Sequence, residues 1–128
     1  MSGVTHMFPM LSCLSLTRSL AFYGDLLGGQ ESYRFPAEGE PEFVALRLGD
    51  SELGLGQLTD APATHGRPQR PSSGHRIELC ANVDDVDAAV EKLRATGVTI
   101  VLEPADQPWG KRIAYVEDPD GNLVMLEN

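Results

Sequence analysis

The sequence predicts an α+β fold: a duplicated βαβββ module whose strands form a curled mixed sheet around a cleft. Three observations carry this. Two segments have helical apolar spacing, one at Leu20, Tyr23 and Leu27, the other at Val86, Val90 and Leu93. Each is preceded by one apolar strand and followed by three short ones. A constant offset of about 70 residues carries Phe8 to Glu78 and Leu20 to Val90, and with a one-residue slip it carries Leu53 to Val124 and Leu55 to Leu126.

In the first module an apolar strand near residues 7–14 leads to Thr17, a candidate helix N-cap, and to the helix SLAFYGDLLGG, which ends at Gly28 and Gly29. Strands follow near 30–35, 42–48 and 52–58, the last two joined by the turn Gly49, Asp50, Ser51. In the second module a strand at 76–81 leads to Asp84, again a cap candidate, and to the helix VDAAVEKLRATG ending at Gly97. Strands follow near 99–102, 112–117 and 123–127, with a hairpin turn at 118–122. The expected organisation is a single domain, 1–128, of two modules at about 4–58 and 75–128. They are joined by the Pro-, Gly- and Ser-rich linker 59–74. Neither module closes a core alone: each sheet puts one face on its helix and leaves the other concave, so a cleft lined by alternate strand residues is expected.

A chain of 128 residues can bury a core without staples. The net charge of −9 and the lack of a basic patch argue against nucleic acid as a partner. No segment approaches the ~18 apolar residues of a membrane span, and the Met-Ser-Gly start has no signal-peptide layout, so a cytoplasmic location and no membrane partner are expected. Cys13 and Cys80 lack metal-finger spacing and are expected to be small core residues on different sides of the sheet.

The motifs SLAFYGDLLG, VDDVDAAVEKLRATGV, QPWGKR and EDPDGNLVMLE together resemble the vicinal oxygen chelate superfamily. This superfamily groups glyoxalase, the extradiol dioxygenases, fosfomycin-resistance proteins and bleomycin-resistance proteins. The resemblance covers nearly the whole chain and implies the fold more than any one reaction. It implies metal-ligand positions on the first and last strands of each module, which fall here on Phe8, Gly54, Glu78 and Met125. One carboxylate among them cannot hold a catalytic divalent ion, which needs about three protein ligands. No metal and no other cofactor is therefore expected. A displaced set from His6, Glu52, Glu78 and Glu127 shares the cleft phase but would sit towards strand ends.

By phase, the cleft is expected to be lined by Phe8, Met10, Ser12, Gly54, Gly56, Glu78, Cys80, Ile113, Tyr115, Leu123 and Met125. Trp109 lies on a turn beside it, and Tyr33, Phe35 and Phe43 are further candidates. The binding residues singled out are Phe8, Met10, Tyr33, Phe35, Gly54, Gly56, Glu78, Trp109, Ile113, Tyr115 and Met125. Such an apolar, aromatic-edged surface with a few polar groups suits a small-molecule ligand. Gly54 and Gly56 would leave a flat backbone floor, although glycine in a strand equally marks a bulge or close packing. Glu78 could pair with Arg76 or Arg47, bind a ligand amine or hydroxyl, or serve as a lone general base.

The function this favours is metal-free sequestration of an aromatic or bulky antibiotic or metabolite, of the bleomycin-resistance type. The resemblance implies a homodimer for such proteins. The alternative is a lyase, isomerase or dioxygenase of the glyoxalase type, with Glu78 as its general base. A sensor module with no guest, its cleft filled by its own side chains, also stays open.

Overall fold

In the computed structural model the described residues are 3, 6–59, 66, 70–71, 73–74 and 77–128. The chain divides into two compact units, Met1–Pro71 and Ser72–Asn128. Most of the predicted linker, together with His65, His75 and Arg76, lies outside the described residues.

The first unit runs β1 (Met10–Cys13), α1 (Leu16–Leu20) with a contiguous π-helical turn (Ala21–Leu26), β2 (Gln30–Phe35), β3 (Phe43–Leu48) and β4 (Ser51–Gln57). The second runs β5 (Leu79–Asn82), α2 (Val86–Ala95), β6 (Ile100–Asp106), β7 (Arg112–Glu117) and β8 (Leu123–Glu127). Each holds a four-stranded sheet, in the orders β1-β4-β3-β2 and β5-β8-β7-β6. In both, the first strand lies parallel to the last and the other pairs are antiparallel. This is the predicted βαβββ module, twice. The register repeats too: Met10 pairs with Gly54 as Cys80 pairs with Met125.

Alternation along the strands puts most of the buried side chains on one face of each sheet. In the first unit Cys13, Val44, Leu46, Leu53 and Leu55 are buried, together with Leu16, Ser19, Phe22 and Tyr23 of the helical segment. In the second, Ala114, Val116, Val124 and Leu126 are buried with Val86, Val90 and Leu93 of α2. Burying a Leu or Val side chain is worth about 1.5–3 kcal/mol, so these helix-covered faces hold each unit together.

Several boundaries differ from the sequence reading. Ser15, not Thr17, caps α1: its Oγ accepts from the Arg18 N–H at 3.3 Å. The helix starts earlier because Leu16 belongs to its buried stripe, which runs through Leu16, Ser19, Phe22 and Tyr23 rather than Leu20, Tyr23 and Leu27. The wide turn is visible in the bond from Leu27 N–H to the Phe22 carbonyl, five residues back. Asp85 rather than Asp84 caps α2, accepting from the Ala88 N–H at 3.0 Å. Gly97, with φ +87°, ends it as expected: Gly97 N–H bonds to Arg94 and Val98 N–H to Leu93. β1 and β5 are shorter than predicted and β6 longer. Cys13 is a core residue, but Cys80 is exposed, because its side of β5 has no helix over it.

Two side chains missed in the sequence repeat the same task. Gln57 accepts from Leu16 N–H at 2.9 Å and donates to the Leu14 carbonyl, tying the end of β4 to the β1–α1 turn. Asn128, after β8, does the same within the second unit by donating to the Asp84 carbonyl.

Candidate functional site

The register fixes which residues share the open face of each sheet. In the first unit these are Met10 and Ser12 of β1, Gly54 and Gly56 of β4, Phe43 and Ala45 of β3, and Tyr33 and Phe35 of β2. Phe8 leads into β1 on the same side. An added Cβ on Gly54 would meet Phe43 Cε1 at 3.1 Å and Phe8 Cε2 at 3.4 Å. One on Gly56 would meet Met10 Cε at 3.0 Å. The two glycines therefore let the protein's own rings and a thioether lie flat on the backbone. The floor expected at Gly54 and Gly56 is covered by Phe43, Phe8 and Met10. Tyr33 and Phe43 stand 6.0 Å apart, ring to ring, and tilted.

The rings themselves stay open to solvent: Phe8 is 39% exposed, Met10 48%, Tyr33 56% and Phe35 55%. Isolated surface apolar residues are ordinary, but several on one sheet face form a patch of the kind that binds something. His6 sits over Phe8 at 5.8 Å and places Nε2 3.4 Å from Glu52.

In the second unit Cys80, Met125 and Tyr115 stand side by side across β5, β8 and β7. Glu78 lies two residues before Cys80 and faces the same way. Tyr115 reaches over β8 and donates its hydroxyl to Glu78 Oε1 at 2.7 Å; the Cys80 thiol lies 4.0 Å from the same oxygen. That hydrogen bond, then burial and the Glu78 charge, push the Tyr115 phenol up to about 12. Burial first, then the charges of Glu78 and Glu127, push the Cys80 thiol up, so it is a poor nucleophile at neutral pH.

Met125 is half-buried, and Ile113 shares the face but is only 5% exposed, a support more than a contact. Trp109 projects from the β6–β7 turn, 65% exposed. That turn is closed by Gln107 N–H to the Lys111 carbonyl at 2.7 Å and by Gly110 at φ +91°.

The structure thus brings together Phe8, Met10, Gly54, Gly56, Tyr33 and Phe35 on one sheet, and Glu78, Ile113, Tyr115 and Met125 on the other. The Tyr115–Glu78 bond was missed in the sequence. The signal was available, since parallel pairing of first and last strands puts β8 between β5 and β7.

The positions at which the family resemblance implies metal ligands do not fit a divalent ion. Phe8 and Gly54 carry no donor, Met125 offers a soft thioether, and the carboxylate of Glu78 already accepts a hydrogen bond from the Tyr115 hydroxyl. Among the described residues, no three His, Cys, Asp or Glu side chains gather into a metal-holding group. No described helix is long and apolar enough to cross a membrane.

Comparison with known proteins agrees with this architecture. A family model described as "Glyoxalase/Bleomycin resistance protein/Dioxygenase superfamily" matches residues 6–126. YaeR of Escherichia coli (strain K12) is 36% identical over 114 residues, covering 84% of this chain and 83% of YaeR. The Mycobacterium tuberculosis protein named "Putative glyoxylase CFP32" is 33% identical over 108 residues, 84% of this chain. The chain spans only 38% of the length of that relative. A solved structure of a glyoxalase/bleomycin resistance protein/dioxygenase family enzyme from Burkholderia phytofirmans PsJN superimposes with a TM-score of 0.80 at 25% identity. It covers 94% of this chain and 95% of that one. Two βαβββ units in matching register, and a family match over nearly all their strands, lead to one conclusion. The chain belongs to the glyoxalase/bleomycin resistance protein/dioxygenase superfamily.

Proposed function

We propose that this protein binds an aromatic or bulky small molecule, a metabolite or antibiotic, without the help of a metal ion and sequesters it unchanged. The observation that carries this is the exposed face of Phe8, Met10, Tyr33 and Phe35 in the first unit. Met10, Tyr33 and Phe35 sit on sheet strands and Phe8 leads into one, so little ordering entropy opposes stacking. Ring burial and offset stacking supply the affinity, at about 25 cal/mol per Å2 of apolar surface covered and about 0.5–1.5 kcal/mol per aromatic pair. Trp109 and Tyr115 supply further rings in the second unit, where Glu78 offers an acceptor that orients a guest. In this proposal the protein is cytoplasmic and acts as a homodimer.

The test is titration with Nile red, a neutral planar dye, followed by dye fluorescence and by Trp109 emission. Saturable binding is expected, weakened roughly tenfold by removing one stacked ring, as in Tyr33→Ala or Phe35→Ala. Binding indifferent to both substitutions would sink the proposal. Near-stoichiometric nickel, zinc, iron or manganese in protein purified without tag or chelator would sink its metal-free part.

The enzymatic alternative uses the same Glu78 carboxylate to move a proton. It is favoured if a bound compound with an acidic C–H exchanges that hydrogen with solvent, and Glu78→Gln abolishes the exchange.

A further inference from the structure

On the open face of the second sheet the polar groups are arranged with one polarity. Tyr115 spends its only proton on Glu78 Oε1, so its oxygen has only lone pairs left to offer. The described donors to Glu78, the Tyr115 hydroxyl and the more distant Cys80 thiol, both go to Oε1, and Oε2 is left for an outside donor. Glu127 is on the same face, opposite Ile113 and Asn82 in the register.

Positive charge is kept away from this face among the described residues. Arg112 is on the other side of β7, where it grips Asp87 at 2.7 Å and Asp106 at 3.0 Å. Lys111 is in phase with Tyr115 but four residues away, about 13 Å along an extended strand. Between the acceptors lie apolar surfaces: the Tyr115 ring and the half-buried Met125.

We infer that the guest carries a cationic amine, seated on Glu78 with its apolar body over Tyr115 and Met125, and that anionic guests are refused. This rests on the sequestration proposal above and adds the chemical class of the guest. An ammonium group can donate to Glu78 Oε2 and to the Tyr115 oxygen, and its flanking carbons lie against the ring, where a cation is attracted to the π face. A carboxylate or phosphate would meet only acceptors and negative charge.

Three probes with one aromatic body separate charge from stacking: 1-naphthylmethylamine, 1-naphthylmethanol and 1-naphthoate. Calorimetric or NMR titration of the whole chain should rank them amine, alcohol, acid, with the amine at least about tenfold tighter than the alcohol. Glu78→Gln, on an exposed side chain, should bring amine and alcohol to near parity by weakening the amine far more than the alcohol. Tyr115→Phe, which keeps the ring and the carboxylate, should preserve the amine's lead. Equal binding of amine and acid, or a preference untouched by Glu78→Gln, overturns this inference while the aromatic-binding proposal stands. Failure of all three to bind overturns both.

Discussion

Tyr115 and Glu78 are joined by a 2.7 Å hydrogen bond that passes over β8, which lies between β7 and the β5 strand that Glu78 leads into. It ties together two side chains of the open sheet face and holds both where a ligand would find them. The bond favours the protonated phenol, so Tyr115 titrates near 12 instead of its ordinary 10. A group raised on folding contributes stability that is complete below its unfolded pKa and is lost as pH rises through the folded one. The loss therefore falls between about pH 10 and about pH 12. Glu78→Gln should bring one tyrosinate transition back towards its ordinary range, read by near-ultraviolet absorbance against Tyr115→Phe. An unchanged transition would show that the bond is not made in solution.

Ser19 carries a buried Oγ with no hydrogen-bond partner among the described residues. Burying a hydroxyl without a partner costs about 1–3 kcal/mol, and alanine is the better helix former. Ser19→Ala should raise stability by about 1 kcal/mol, seen as a higher denaturant midpoint with an unchanged slope. A lower midpoint would mean that the hydroxyl is satisfied.

The glycines of β4 should respond unequally to added methyl groups. At Gly54 the new Cβ presses on the rings of Phe43 and Phe8, which are stiff; at Gly56 it meets the free end of Met10. Gly54→Ala should cost about 1–3 kcal/mol by overpacking and Gly56→Ala less. It should also displace the Phe43 ring from Tyr33, altering aromatic NMR shifts. Equal tolerance at both positions would show that Phe43 is mobile.

The turn after β7 depends on one buried carboxylate. Asp118 accepts from the backbone N–H of Asp120 at 2.9 Å, from that of Asn122 at 2.8 Å, and from the Asn122 side chain at 2.8 Å. Asp118→Ala should cost about 2 kcal/mol in thermal or chemical unfolding, since it strands donors in a tight turn. Gly121→Ala should cost about 1 kcal/mol for a different reason, its φ of +83°. If both are neutral, the turn is not a stabilising element.

Most of the fold was legible because period-two and helical patterns alternate twice along the chain, and because turns such as 118–122 require Asp, Pro and Gly at fixed places. The phase argument that grouped Met10 with Gly54 and Cys80 with Met125 holds in the observed register. What was not legible depends on three-dimensional neighbours. Thr17 and Ser15 are both plausible caps until Leu16 is known to be buried. The rings over Gly54 depend on side chains crossing between strands, which periodicity along one strand does not record; the bond from Tyr115 to Glu78 follows only once the strand order β5-β8-β7 is set beside the phases. Cys80 looked like a core residue because its type usually is; only the missing helix on that side makes it exposed.

Each helix seals its own sheet from one side, and the opposite side takes little part in holding the unit together. Substitutions at the largely exposed Tyr33, Phe35 or Trp109 should therefore cost little folding stability, while those at Leu55 or Leu126 should cost much more. Such a scaffold can be retargeted from one compound to another by a few surface changes, each selectable alone. Under the sequestration proposal, that separation of duties lets recognition change while the architecture stays.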